Sequence, residues 1–225
     1  MCAARRAGQD WRRWELAAPL QRDAGALAFI FSTPPATVEA FGKDGGLGYA
    51  RTYNFDSQVQ AIYATNSVYR ESAMAFMTPP DASRLDDLVK RRGRVLVYHG
   101  VADAVFSPAD TVNWYRAFDA NRSGRGADVA RLFLVPQMNH CSGGPATDQF
   151  DLLTPLVQWV EEGVPPATIP AKVRGGAGPL ANPELPKGWA ADRSRPLCPY
   201  PRYARYKGNG DVESADSFYC ALPGQ

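Results

Sequence analysis

Two short runs of apolar and β-branched residues constrain the fold of this chain more than any other feature. The first, from Arg94 to Tyr98 in RRGRVLVYHG, is closed by Gly100, and the second is ARLFLVP at residues 130–136. Short runs of this kind that are bounded by turn residues are typical of strands buried in a parallel sheet. The chain therefore predicts two neighbouring buried strands.

Each predicted strand is followed by a polar loop and a helical pattern. Pro108 suits the first turn of a helix from Ala109 to about Ala120. An amphipathic helix is predicted for residues 148–161, and Gly163 and Pro165 end it. A further helix with Leu85, Leu88 and Val89 on its apolar side precedes the first strand. This order of elements is that of the end of a doubly wound α/β sheet.

Asp103 and His140 lie in the two loops that follow the predicted strands. In such sheets, ligands and catalytic groups sit beyond the carboxyl ends of the strands. A serine hydrolase needs a histidine base whose pKa lies near neutrality, and a carboxylate that fixes its tautomer and stabilises the imidazolium. The acid precedes the base by 37 residues, with one helix and one strand between them. Asp103 and His140 are therefore the predicted acid and base of a triad.

Other residues compete weakly for these two roles. His99 ends the first strand, where its side chain would support the Asp103 loop from within the sheet. Asp110 falls in the first turn of a helix and points away from the strand ends. Asp103 itself has a structural alternative, since it can form an Asx turn or cap the helix, although Ser107 and Asp110 are better placed to cap it.

A nucleophile is missing from the pattern, because no G-x-S-x-G occurs in the chain. The nearest serine is Ser142 in HCSGG, only two residues from His140 and too close to be its partner across a pocket. Cys141 is adjacent to the base and is excluded as a thiol nucleophile for the same reason.

Composition excludes several classes of function. The net charge of +2 over 225 residues favours neither a nucleic-acid partner nor a membrane surface. The tail CPYPRYARYKGNGD interleaves tyrosines with cations, which is typical of single-strand nucleic-acid binding or, as we favour, of a segment wrapped on the domain. GKDGGLGYA at residues 42–50 is predicted to be a loop, since it lacks the ending of a phosphate-binding loop.

The four cysteines favour disulfides over a metal site. No C-x-x-C motif is present and there are only two histidines, so zinc is disfavoured. Cys198 and Cys220 flank a tail with little apolar periodicity, where a disulfide would be useful. This pattern indicates an oxidising compartment.

These residues together resemble the tannase and feruloyl esterase family. The resemblance is carried by HGVADAVFSPADTVNWY, by ARLFLVPQMNHCSGGPATDQFDLLTPLVQWVEEGVPP and by the tyrosine-rich tail with its paired cysteines. The resemblance is good over residues 85–220 and weaker over residues 53–66, YNFDSQVQAIYATN. It implies the C-terminal part of an α/β-hydrolase fold, with late parallel strands and flanking helices, the end of a lid insertion and a disulfide-stapled tail. The implied segments are a lid remnant at 1–50, part of the catalytic domain at 51–168 and a wrapping tail at 169–225.

The same resemblance implies roles for individual residues. Asp103 would be the triad acid and His140 the base, and Phe106 would line the mouth of the acyl pocket. Cys198 would pair with Cys220, and Cys141 with a cysteine beside the nucleophilic serine. That serine, the oxyanion hole, most of the lid and the family's calcium site would all lie N-terminal to Met1, which leaves no cofactor in this chain.

The expected function is that of the C-terminal portion of a serine carboxylesterase. Its substrates would be small esters of aromatic acids, of the feruloyl, tannin or terephthalate monoester type, with no nucleic-acid or membrane partner. The expected location is secreted or periplasmic, with the signal peptide outside this chain, since the first residues lack an apolar segment. The alternatives are a non-catalytic remnant used for binding or assembly, and another α/β-hydrolase such as a peptidase.

Overall fold

The structure is a computed structural model that describes residues 18–224, with side chains described from residue 23 onward. Within these residues the contacts divide the chain between Ala82 and Ser83 into two compact units. The sequence also predicts a short helix with Trp11 and Trp14 on one side, and these residues lie outside the described part of the chain.

The N-terminal unit, residues 18–82, is built from short helices. They are α1 (Ala18–Phe29), α2 (Gly45–Thr52), α3 (Phe55–Gln58) and α4 (Ala73–Met77), with 3₁₀ turns at Val38–Phe41 and Val59–Ile62. The rings of Phe29, Phe41 and Tyr49 stack in sequence, with centroids 4.9 and 5.1 Å apart. This stack joins α1 to α2.

The prediction of a loop at residues 42–50 was wrong, because α2 begins at Gly45 and includes most of this segment. Tyr49 is buried against a small core that contains Ala24 and Ala28 of α1. Burial of one large aromatic face stabilises a helix that its glycines alone would disfavour.

The C-terminal unit, residues 83–224, is organised around two parallel strands. Strand β1 (Val95–Gly100) pairs with β2 (Ala130–Val135) in a register that aligns Val95 with Ala130 and Gly100 with Val135. Helix α6 (Pro108–Asn121) connects them, with Pro108 in its first turn and the Ser107 hydroxyl accepting from the N–H of Ala109. The predicted strand, loop, helix and strand order is confirmed.

Successive residues of β2 enter two separate cores, as expected for a strand covered on both faces. Leu132 packs on one side with Tyr115 and Phe118 of α6. The preceding helix, α5 (Asp86–Lys90), contributes the predicted Leu88 and Val89 to the same core. Phe133 and Val135 pack on the other side with residues of the C-terminal segment.

Helix α7 (Leu153–Glu161) begins five residues later than the sequence pattern predicted. Asp151 Oδ1 accepts from the backbone N–H groups of Leu153 (2.8 Å) and Thr154 (3.1 Å), which caps the helix there. The preceding residues form a short strand instead, β3 (Gln149–Phe150), paired with β4. The residue of α7 that is buried is Trp159, on whose ring Arg94 and Arg131 lie.

The C-terminal segment forms two small antiparallel sheets. Strand β4 (Ile169–Lys172) lies between β3 and β5 (Ser194–Leu197), while β6 (Tyr203–Tyr206) pairs with β7 (Phe218–Ala221). A disulfide joins Cys198, directly after β5, to Cys220 in β7. The backbone N–H of Tyr200 donates to the carbonyl of Leu132 (2.7 Å), so this segment is attached to β2.

The boundary between Ala82 and Ser83 is defined only by the contacts within each of the two units. The assignment of residues 1–50, 51–168 and 169–225 to lid remnant, catalytic domain and tail stays a prediction. Among residues 18–224, no helix is long and apolar enough to cross a membrane.

Candidate active site

The acid candidate, Asp103, lies in a tight turn directly after β1. Its backbone N–H donates to Gly100 O (3.1 Å), and its Oδ1 accepts from the backbone N–H groups of Val105 (2.7 Å) and Phe106 (3.1 Å). Only 4% of the side chain is exposed. These contacts hold the other oxygen, Oδ2, in one direction.

Opposing influences act on the Asp103 carboxyl. Burial raises its pKa, because the charged form loses water. The hydrogen bond from His140, the two backbone N–H groups and the nearby imidazole all lower it, and together they prevail. The pKa of Asp103 therefore lies below its ordinary value, and the group is an anion at neutral pH.

The base candidate, His140, lies in the loop after β2, which we name the base loop (residues 137–147). His140 Nδ1 is 2.9 Å from Asp103 Oδ2. Because a carboxylate only accepts, Nδ1 carries the proton, and the neutral ring presents its Nε2 lone pair outward. Nε2 has no hydrogen-bond partner among residues 23–224, and the side chain is 35% exposed. This is the tautomer that a general base requires.

A close approach of two backbones brings the acid and the base together. Gly100 ends β1 at a point where a Cβ would overlap the carbonyl oxygens of Met138 and Asn139. The N–H of Ala102 donates to Met138 O (3.0 Å) across the same gap. Glycine at position 100 therefore allows the turn that carries Asp103 to contact the base loop.

The other histidine, His99, lies behind the acid. Its Nε2 is 3.2 Å from Asp103 Oδ2 and 3.1 Å from Phe106 O, and its Nδ1 is 2.8 Å from Thr111 Oγ1. Two acceptors face Nε2, so Nε2 carries a proton, and both ring nitrogens are engaged. With 12% of its side chain exposed, His99 supports the acid turn, as its position at the strand end predicted.

Hydrogen bonds from residues of the C-terminal segment anchor the base loop. Glu184 Oε2 accepts from the backbone N–H of Gly144 (2.5 Å) and from Asn139 Nδ2 (3.3 Å). Asn182 Nδ2 donates to Gly144 O (2.7 Å). Since Asn139 immediately precedes His140, these contacts hold the backbone on either side of the base candidate.

Asp148 secures the end of the same loop. Its side chain is fully buried, and Oδ2 accepts from Gly143 N (2.8 Å) and from Nε (3.0 Å) and Nη2 (2.7 Å) of Arg174. The hydrogen bond and the charge of Asp148 raise the pKa of the Arg174 guanidinium. Both nitrogens of Arg174 donate to the same carboxylate oxygen, and charge-assisted hydrogen bonds of this kind are stronger than neutral ones.

Phe106 and Cys141 both lie beside His140. The Phe106 ring is 63% exposed and meets the imidazole edge to face, with centroids 5.4 Å apart. Cys141 is an exposed free thiol with a backbone φ of +64°. Ser142 is exposed and donates its backbone N–H to His140 O (2.8 Å), while no hydrogen bond joins its hydroxyl to the imidazole in the described structure. Asp110 is exposed in the first turn of α6, and no hydrogen bond or ion pair joins it to either imidazole in the described structure.

A family model described as "Tannase and feruloyl esterase" matches residues 2–221 of the chain. The chain belongs to this family. The resemblance predicted from the sequence is thereby confirmed, as is the α/β-hydrolase fold class, since the similar solved structures are esterases of this type.

Two curated proteins illustrate the similarity of this family member to known sequences. A mono(2-hydroxyethyl) terephthalate hydrolase of Piscinibacter sakaiensis is 41% identical over 227 residues, an alignment that covers 96% of this chain and 35% of that protein. A probable feruloyl esterase of Arthroderma benhamiae is 38% identical over 148 residues, covering 63% of this chain and 25% of that protein. The chain thus spans about a third or less of the length of these relatives.

Two solved structures agree in fold. An esterase from Aspergillus oryzae superimposes with a TM-score of 0.51 and 26% identity, covering 62% of this chain and 29% of the other. A tannin acyl hydrolase from Aspergillus niger gives a TM-score of 0.51 at 16% identity, covering 90% of this chain and 33% of the other, and shows likeness of fold alone.

Sequence reasoning did not find the anchoring residues of this tannase-family chain. Asn182 and Glu184 lie about 40 residues beyond the base loop, in a stretch predicted to be a wrapping tail. The consecutive glycines at positions 143 and 144 were the local sign in the sequence of a constrained loop. In the structure both have positive φ values, +82° and +72°. Nothing local identifies their partners.

Proposed function

We propose that this chain supplies the acid and the base of a serine carboxylic ester hydrolase that cleaves esters of aromatic acids, of the feruloyl, tannin or terephthalate monoester type. The observation that carries the proposal is the orientation of His140. Its Nδ1–H is held by the buried carboxylate of Asp103 at 2.9 Å, and its Nε2 is unpaired in the described structure and accessible. Membership of a family of esterases supports the same reaction class.

In the proposed mechanism, His140 Nε2 accepts the hydroxyl proton of a serine as the serine oxygen attacks the ester carbonyl. Asp103 stays ionised and stabilises the imidazolium that forms. The imidazolium then gives its proton to the departing alcohol, which leaves an acyl-enzyme. Water attacks the acyl group in the second half, with His140 again taking and returning the proton.

The serine in this proposal belongs to polypeptide outside these 225 residues. The absence of a G-x-S-x-G motif and the position of Ser142 support this, as does the chain's span of 35% of a similar hydrolase. Cys141 would form a disulfide with a cysteine beside that serine, and the family's calcium site would also lie on the N-terminal side.

Phe106 is the proposed substrate contact. Its exposed ring adjoins the imidazole, so it would lie against the acyl group of an ester whose carbonyl is within reach of His140. A planar aromatic acyl group would gain from contact with such a ring. The disulfide between Cys198 and Cys220 supports the proposal of a secreted or periplasmic location.

Kinetics of the full polypeptide that contains this chain test the proposal, with methyl ferulate, methyl gallate and mono(2-hydroxyethyl) terephthalate as substrates. We expect His140→Ala and Asp103→Asn each to lower kcat by about 10⁴-fold or more, by comparison with other triads. Asp110→Asn is the matched control, since it removes a carboxylate from an exposed helix position near the acid, and it should keep wild-type turnover.

Near wild-type turnover in either triad variant would remove that residue from the mechanism. Turnover by the 225 residues alone, abolished by Ser142→Ala, would overturn the account of the serine. Absence of ester cleavage by the full polypeptide would favour the non-catalytic alternative, and preferred cleavage of peptide substrates would favour a peptidase.

A further inference from the structure

A cavity of about 570 Å³ lies in the C-terminal unit, and neither Asp103 nor His140 lines it. Its walls come from the strands of the C-terminal segment and from both ends of the base loop. Aromatic rings form much of the lining: Trp189, Tyr200, Tyr203 and Phe218. This volume is in the range of sites for small organic ligands.

The charged residues that line the cavity are all cations. They are Arg193, Arg195 and Arg202, and no aspartate or glutamate lines it. Arg193 is paired with Glu213, and its guanidinium stacks on Trp189 at 4.0 Å from the ring centroid. Arg202 donates to the carbonyl of Cys220 (3.2 Å).

Arg195 is the half-buried arginine of the cavity that has no ion-pair partner in the described structure. Its guanidinium lies 4.1 Å from the centroid of Phe218, and its one hydrogen bond in the described structure goes to Ser194 O (2.6 Å). No carboxylate lies within ion-pair distance of it in residues 23–224, and Glu213 is paired with Arg193. Burial and the charge of Arg193 lower the pKa of this guanidinium, the charges of Glu213 and Asp211 oppose this in part, and an arginine remains charged at neutral pH.

We propose that this cavity binds a small aromatic monocarboxylate, with the carboxylate on Arg195 and the ring among the aromatic walls. The guanidinium presents a planar set of donors that matches the two oxygens of a carboxylate. An inorganic anion would satisfy Arg195 but leave the apolar walls uncovered, and a neutral aromatic compound would leave the charge unpaired. A ligand with both parts satisfies both features of the cavity.

The site is distinct from the proposed catalytic centre. Gln137, Pro145 and Thr147, at the two ends of the base loop, belong to its wall, whereas His140 does not. A ligand in the cavity would therefore lie next to the ends of the loop that carries His140 and away from the imidazole. The inference uses only the lining of the cavity and stands whether or not the chain takes part in ester hydrolysis.

Fluorine NMR of 4-fluorocinnamate added to the 225-residue chain tests the inference, with the dissociation constant taken from line broadening. Its neutral amide, 4-fluorocinnamamide, has the same shape, and we expect it to bind at least about tenfold more weakly, as for loss of a charge-assisted hydrogen bond. Arg195→Gln should weaken binding of the acid by a similar factor and leave binding of the amide unchanged. Inorganic phosphate at equal concentration should not displace the acid.

Arg205→Gln is the matched control, because Arg205 is an exposed arginine of β6 that does not line the cavity. It should bind 4-fluorocinnamate like the wild type. Equal affinity for the acid and its amide, or absence of binding by the wild-type chain, would overturn the proposal without any use of a variant. Equal weakening by Arg195→Gln and Arg205→Gln would reduce the effect to net charge and would overturn it as well.

Discussion

Asp103 Oδ2 faces two imidazoles, at 2.9 Å from His140 and 3.2 Å from His99. The two rings differ at the nitrogen that does not face Asp103, because Nδ1 of His99 contacts Thr111 Oγ1 while Nε2 of His140 is free in the described structure. The carboxylate is thus fixed from behind by one histidine and presented to the other. This difference is consistent with the proposed function, in which His99 supports the acid and His140 is the base.

The lowered pKa of Asp103 predicts how stability changes with acid. A carboxyl with a lower pKa in the folded state stabilises the fold fully above its ordinary value of 3.8, and this stabilisation is lost as the pH falls through the folded value. We expect unfolding temperatures between pH 6 and pH 3, measured by circular dichroism, to fall more steeply for the wild type than for Asp103→Asn. Parallel curves for the two proteins would contradict this assignment.

At the scale of residues, the pairing of Asp103 with His140 could be predicted because both residues occupy a regular position in the fold. Both follow strands recognisable from apolar runs, and consecutive parallel strands place their loops at one edge. Arg174, Asn182 and Glu184 could not be predicted, since they act through contacts far apart in the chain with no periodic pattern.

The base loop depends on Gly144, whose φ is +72° and at which a Cβ would overlap the carbonyl oxygen of Gln137. Gly124 has nearly the same φ, +75°, with nothing within 4 Å of such a Cβ. Gly124→Ala should therefore cost only the strain of a left-handed residue, about 1 kcal/mol. Gly144→Ala should cost about 1 to 3 kcal/mol more, because the loop must also move. Urea denaturation of both variants measures the difference, and equal losses would show that the close contact does not matter.

Glu184 anchors the same loop, and its carboxylate should position His140 without touching a substrate. In the full polypeptide, Glu184→Gln should lower kcat about tenfold with little change in KM, since one charge-assisted hydrogen bond to the loop is weakened. Steady-state kinetics with methyl ferulate measures this split. Glu213→Gln removes a paired carboxylate that contacts Arg193 and Ala190 instead of the loop. A similar fall in kcat for Glu213→Gln would reduce the role of Glu184 to general stability.

At the scale of elements, β1, β2 and α6 were predictable because each has one clear periodicity and clear ends. Helix α2 was missed because its glycines suggest a loop, and the ring contacts of Tyr49 that stabilise it are tertiary. The start of α7 was misplaced because an apolar residue, Phe150, continues the helical pattern into a strand whose partner, β4, lies further along the chain.

At the scale of the molecule, the disulfide between Cys198 and Cys220 joins the two small sheets of the C-terminal unit across a separation of 22 residues. Closing a loop of this size should stabilise the fold by roughly 3 kcal/mol through the entropy of the unfolded chain. We expect the double variant Cys198→Ser with Cys220→Ser to be less stable by that amount in urea denaturation. A reducing agent should lower the stability of the wild type and leave the double variant unchanged.

The division into two compact units between Ala82 and Ser83 was not predicted, although the segment TPPDAS at residues 78–83 has the composition of a turn or linker. The C-terminal segment is attached to β2 by the hydrogen bond from Tyr200 to Leu132, and its assignment as a wrapping tail stays a prediction. Its short strands were not predicted, since runs of four residues rich in arginine and proline have no clear alternation.

The spacing of acid, base and anchors along the chain has a consequence for recombination between related genes. Asp103, His140 and Asp148 are inherited as one short block, whereas Arg174 and Glu184 lie downstream of it. A crossover between residues 150 and 170 would preserve the acid and base and yet combine the base loop with foreign anchors. Chimeras joined there should retain both reactive side chains and lose their alignment, whereas chimeras joined beyond Glu184 should keep the site of one parent intact.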